Sequence, residues 1–281
     1  MVKFFSIFLL LLTLLQANSY EYVEYNETGD ALEQKIKSYI SSSKYNENSE
    51  FINILFSPKS SFYKGANIDD VKVVSTLNNN GLLKLHFSKQ RELKLDFKTE
   101  GSSILFLKIM RDALRNIGYY KHITVGSSLD EKNFTWSIKL KSDNALKPQS
   151  LQKELRKVGC KIVNIVRKTS VEWSYKVDIS NANLRVPTLR YGKKLTLKRS
   201  LYAHWINVKN VTSLIIKSSS RNRWYPNISY YDAKLKLIEV LKKENRTNKI
   251  YLNIPQGTKY IKISDVYTLK NIKDYLTIYP K

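Results

Sequence analysis

A single cysteine, Cys160, has to serve the whole 281-residue chain. No intramolecular disulfide can form, so the fold must hold by packing alone. Next to Gly159, at the start of a strand, this thiol reads as a small buried hydrophobe. Histidine is nearly as scarce. His86, His122 and His204 stand far apart with no metal-ligand spacing and read as structural residues. Acidic residues number 24 against 48 lysines and arginines, and they form no evident pair, although a carboxylate dyad is a spatial feature that spacing does not exclude. There is no nucleophile elbow, P-loop, dinucleotide fingerprint or HExxH. These absences argue for a non-enzymatic protein with no cofactor and no metal. Beyond residue 19 no run is long and apolar enough to span a bilayer.

Residues 1–19 read as a secretory signal. Lys3 precedes an apolar run from Phe4 to Leu15, broken only by Ser6 and Thr13, and Ala17 and Ser19 put small residues before a cut at Tyr20. A run of about 12 residues is too short to cross a membrane. Export without disulfides suits a Gram-negative periplasm, with the protein free there or peripheral to the envelope. The formal charge of +24, one less after loss of Lys3, favours polyanionic partners. Export sets nucleic acid aside. Lipopolysaccharide, anionic lipid headgroups, acidic glycans or an acidic protein remain, beside the bland alternative of a solvated basic surface.

From Leu107 to Ile179 one unit is written twice. Ala113-Leu-Arg-Asn-Ile-Gly118 and Thr135-Trp-Ser-Ile-Lys-Leu140 match Glu154-Leu-Arg-Lys-Val-Gly159 and Glu172-Trp-Ser-Tyr-Lys-Val177. In the first copy Leu107, Met110, Leu114 and Ile117 share a helix face; Leu151, Leu155 and Val158 do so in the second, after Pro148. Gly118 and Gly159 sit where a left-handed cap belongs. Each helix leads into a β-rich run, then a strand alternating around Trp136 or Trp173. The prediction is helix–strand–strand, twice, on an antiparallel sheet with one apolar face.

Upstream, Asp30 to about Ser41 reads as a helix. Phe51–Phe56, Val71–Leu77, Leu82–Phe87 and Leu93–Phe97 read as strands, with Asn78 to Gly81 as a hairpin turn. From Leu93 the first six elements follow the ferredoxin-like order βαββαβ. In element order they resemble the small αββ ring-building modules of bacterial secretion and flagellar machines. That resemblance covers about 85 residues. It implies packing against neighbours, which could include further copies of the chain, within an envelope-spanning assembly.

Residues 181–200 read as a basic linker. Arg185, Arg190, Lys193, Lys194, Lys198 and Arg199 occur there with no acidic residue, as a patch for an anionic partner or as a solvated connection. From Tyr202 on, seven short strands predict an all-β sandwich or jelly roll. The expected parts are therefore a signal (1–19), a helix plus strands (20–100), the duplicated unit (101–180), the linker, and a sandwich (201–281). In Arg221-Asn-Arg-Trp-Tyr-Pro226, an exposed Trp224–Tyr225 platform flanked by Arg221 and Arg223 could stack on sugars; the same aromatics could instead plug the sandwich end. Asn26 and Asn133, each with Glu two residues earlier, match the extended acceptor of bacterial N-glycosylation. The functional expectation is an interaction component of an envelope assembly such as a flagellar motor or secretion system. The alternative is a periplasmic protein that binds glycan or another anionic envelope component.

Overall fold

The computed structural model describes residues 30–130 and 133–281. The signal, the cut at Tyr20 and Asn26 lie outside the described residues. The protein is α+β, with several antiparallel sheets.

The first described elements are three short helices, α1 Ala31–Ile40, α2 Ser42–Glu47 and α3 Ser49–Leu55. The Asp30 carboxylate caps α1 by accepting the Leu32 N–H at 3.1 Å, and Leu32, Ile36, Tyr39 and Ile40 form its buried stripe. A two-residue hairpin, β1 Tyr63–Lys64 and β2 Asn67–Ile68, leads into α4 Asp70–Asn79. The strands expected at Phe51–Phe56 and Val71–Leu77 are thus the helices α3 and α4. Val71, Val74 and Leu77 lie three apart and share a buried helix face, and Asp69 caps it through the Lys72 N–H. β-Branched residues lower helix propensity only slightly, so packing overrides them. Asn78 to Gly81 ends this helix, with Gly81 at φ +76°, and is not a hairpin turn. Leu82, Leu83 and Leu85, expected in a strand with Phe87, are buried in a turned connection, where the Leu82 and Leu83 N–H groups donate back to Leu77 O; the strand begins only at His86.

That strand, β3 His86–Glu100, is central to a five-stranded sheet. After it come α5 Ser103–Asn116, the hairpin β4 Ile123–Asp130 and β5 Asn133–Asn144, α6 Pro148–Arg156, and the hairpin β6 Lys161–Arg167 and β7 Glu172–Asp178. The sheet order is β4-β5-β3-β7-β6, with β3 antiparallel to β5 and parallel to β7. A ferredoxin-like order would seat β6 against β3; β7 takes that place instead. The strand directions are those produced by a two-fold axis normal to the sheet and passing through β3. One face is apolar. Leu93, Leu95, Phe97, Phe134, Trp136, Ile138, Trp173, Tyr175 and Val177 are buried there with Phe106, Met110 and Leu114 of α5 and Leu151 and Leu155 of α6.

The last part comprises β8 Leu195–Leu197, β9 His204–Asn207, β10 Ser213–Ser218, β11 Pro226–Tyr231, β12 Leu237–Lys242, β13 Lys249–Asn253, β14 Tyr260–Asp265 and β15 Leu276–Pro280. They form two antiparallel sheets, β13-β10-β15-β8 and β12-β11-β14-β9, which line one hydrophobic core. Every connection except the β11–β12 hairpin crosses from one sheet to the other. Residues 181–200 are not a linker. Leu184, Leu189 and Leu197 are buried, β8 pairs with β15, and the Leu189 N–H donates to Asn207 O at 2.9 Å. Its leucines carry that segment into both cores, while its charges face out.

Candidate functional site

The segment Arg221 to Pro226 is structural. Trp224 is fully buried in the sandwich core, and its indole N–H donates to Ser264 O at 2.8 Å. An exposed Trp224–Tyr225 platform does not form. The reason is the two-residue period of β11: Asn222, Trp224, Pro226, Ile228 and Tyr230 are all buried, so Trp224 simply continues the inward face upstream of the strand. Tyr225 is half-buried, edge-on to Tyr267 with ring centroids 5.0 Å apart. Asp265 fastens this loop by accepting the N–H groups of Tyr225, Tyr267 and Thr268. The Arg221 guanidinium donates to Asp274 at 2.8 and 3.1 Å, which holds that carboxyl below its ordinary pKa range. Arg223 is exposed.

All six cations of the basic segment are exposed, and among the described residues none makes an ion pair. Five of them gather around one edge of the sandwich. Arg190 and Lys193 bridge the turn at Tyr191-Gly192, Lys194 precedes β8, and Lys198 and Arg199 follow it. Arg185 stands apart, in a small hollow of about 160 Å³ with Arg115, Asn116, Glu154 and Lys157. Asn133 is exposed at the first position of β5, paired with Glu100 and Asp130.

Two features escaped the sequence reading because they join distant segments. One is a groove of about 810 Å³ between α4 and α6. Of its cations, Lys72 donates to Ser61 and Lys157 pairs with Glu154. Lys153 and Arg156 make no ion pair among the described residues. The other is the contrast between the two edges of the five-stranded sheet. At β6 the edge is sealed. Asp70 accepts the Ile165 N–H at 2.6 Å, Tyr39 and Lys35 donate to Ile165 O at 3.0 and 2.9 Å, and Gln152 accepts the Ile162 N–H at 2.7 Å. Lys35 also pairs with the buried Asp70 at 2.9 Å. At β4 nothing covers the edge among the described residues. All eight residues are exposed, including Ile123 at 71%, Val125 at 47% and Leu129 at 67%.

The chain matches no protein-family model, no curated protein and no solved structure.

Among the described residues no group of histidine, cysteine and carboxylate side chains is placed to hold a metal ion. The Cys160 thiol is pushed up to about 12 by burial, which leaves it protonated and inert at neutral pH. Burial likewise depresses the His204 imidazole. His122 lies edge-on to Trp136, with centroids 5.4 Å apart, and its Nδ1 is 3.0 Å from Tyr119 O. Among the described residues no helix is long and apolar enough to cross a membrane.

Proposed function

We propose that the protein is a non-enzymatic interaction component of the bacterial cell envelope. In this reading it is exported to the periplasm and serves an envelope-spanning assembly such as a flagellar motor or a secretion system. The observation that carries this is the β4 edge. A strand edge offers a row of unpaired N–H and C=O groups, and proteins ordinarily blunt it with lysine, proline or a covering element. Ile123-Thr-Val-Gly-Ser-Ser-Leu-Asp130 has neither lysine nor proline and is interrupted only by a bulge between Thr124 and Gly126, while the opposite edge is sealed by four side chains. A partner strand added there gains main-chain hydrogen bonds, and its side chains can meet Ile123, Val125 and Leu129. The shared Trp-Ser-x-Lys strands and the two-fold strand directions support reading the two helix–hairpin units as copies. The basic surface around β8 would steer an anionic partner.

A second reading, binding of glycan or another anionic envelope component, draws support from the sandwich. Eight strands crossing between two sheets at nearly every connection fit a jelly roll, an architecture used by lectins. It rests on fold-level analogy, and the burial of Trp224 takes away its aromatic platform.

The two readings separate in one experiment. Envelope fractions are sedimented from cells expressing the wild type, an edge variant (Val125→Lys, Ser127→Lys, Leu129→Lys) and a charge variant (Lys193→Ser, Lys194→Ser, Lys198→Ser, Arg199→Ser). The assembly reading expects the edge variant to stay soluble while its melting temperature holds, since exposed substitutions move stability by under about 0.5 kcal/mol each. Envelope binding expects loss in the charge variant and in 1 M salt, where the Debye length shrinks to about 3 Å. An edge variant that sediments like the wild type would reject the assembly reading.

A further inference from the structure

A hollow of about 290 Å³ lies between α1 and α2, the 82–85 connection, the start of β3 and the β6–β7 turn. Lys44, Lys84, His86, Arg91 and Arg167 line it, and among the described residues no carboxylate does. We propose that this hollow is a binding site for a phosphoryl group, carried by a phosphomonoester.

Of the four cations besides His86, three donate only to neutral oxygens. Lys44 donates to Leu82 O at 2.6 Å, Arg91 to Ser170 Oγ at 3.0 Å and Arg167 to Tyr39 O at 3.0 Å. All three acceptors are neutral. Among the described residues none of the four makes an ion pair. Arg167 is the telling member. Its Nε is buried with no hydrogen-bond partner, and burial lowers its pKa. Even a partly desolvated charge is costly without a counter-ion, and buried charges are as a rule paired. The same chain pairs Lys35 of α1 with Asp70. With no carboxylate beside Arg167 among the described residues, the geometry points to a counter-ion supplied from outside.

The arrangement is held in place as well as charged. The Arg167 guanidinium lies 5.9 Å from the Trp173 ring and that of Arg91 5.3 Å from the Phe87 ring, so both forks have a fixed backing. A phosphoryl group brings close to two negative charges and three acceptor oxygens in a small volume, and guanidinium forks bind such oxygens bidentately. A lone carboxylate would answer only part of this charge. The site is distant in sequence from β4 and does not depend on partner binding there.

The test uses the full exported chain at fixed ionic strength. Glycerol 3-phosphate is titrated calorimetrically, and vesicles of phosphatidylcholine with and without phosphatidic acid are co-sedimented. The exposed pair Arg91→Gln/Lys84→Gln avoids disturbing the half-buried Arg167. Binding of the free phosphoester, weakened about tenfold or more in this variant, supports a soluble ligand; that loss corresponds to about one charge-assisted hydrogen bond. Binding only to the phosphatidic acid vesicles, with the same loss, supports a membrane-borne headgroup. Lys193→Gln/Lys194→Gln should bind as the wild type does. No binding to either probe, or equal loss in the two double variants, overturns the proposal, since equal loss reports diffuse charge and not a site.

Discussion

Gly118 and Gly159 each end a helix in the left-handed region, at φ +93° and +76°, but their surroundings differ. A Cβ on Gly118 would meet nothing, whereas one on Gly159 would overlap the carbonyl oxygen of Asn181. That oxygen belongs to backbone held by the Asn183 N–H donating to Val158 O, so it cannot easily retreat. Gly118→Ala should then lose only the left-handed penalty of about 1–2 kcal/mol. Gly159→Ala should lose that and the displacement of the 181–183 segment, about 3 kcal/mol or more in all. Urea unfolding of the two variants checks the difference, and equal losses would contradict the close approach. Both positions were legible from the helix periodicity before them. The crowding at Gly159 was not, because Asn181 comes from a stretch that reads locally as a solvated basic connection.

At the scale of elements, the sealing of β6 gives a pH dependence with a definite sign. Burial raises the Asp70 carboxyl above its ordinary range, against the opposing pull of Lys35 and the Ile165 N–H. Its folded pKa lies above its unfolded value, so the native state takes up the proton first as pH falls. This group's contribution to stability therefore grows through the mildly acidic range and is lost as pH rises through the raised pKa. Asp70→Asn cannot take up that proton. Its stability deficit relative to wild type should widen between neutral pH and about pH 4, measured by urea unfolding. A deficit that narrows in acid would mean that Lys35 and the N–H outweigh burial. The elements themselves were unevenly legible. Phe134 to Leu140 could be read from strict alternation, and the seven strands after Tyr202 from short runs separated by turn residues. α4 could not, because its valines suit a strand locally and only contact with the sheet decides. The same alternation, extended upstream from β11, would have placed Trp224 inside. The sealed edge and the cation hollows have no local signal, since each assembles residues from three or more segments.

In the whole molecule the two cores share a wall. Leu235 and Tyr260 belong to the sandwich by chain but are buried in the core of the α+β part. The Tyr260 hydroxyl accepts the Leu184 N–H at 3.1 Å, Ser102 donates to Lys234 O at 2.6 Å, and the Lys108 ammonium lies 5.9 Å from the Trp205 ring. With no disulfide to hold either part separately, opening one core would expose apolar surface of the other. Native-state hydrogen exchange should then give the same highest opening free energy for Phe97 in β3 and Ile263 in β14, the mark of one cooperative unit. Tyr260→Ala should lower both by the same amount, about 3–5 kcal/mol for loss of a large buried aromatic. Two independent domains would respond differently: protection would fall at Ile263 and survive at Phe97. A rigid junction of this kind also fixes the angle between the free β4 edge and the basic surface around β8. A partner contacting both would meet them in one geometry, and Tyr260→Ala would weaken its binding even though Tyr260 lies on neither surface.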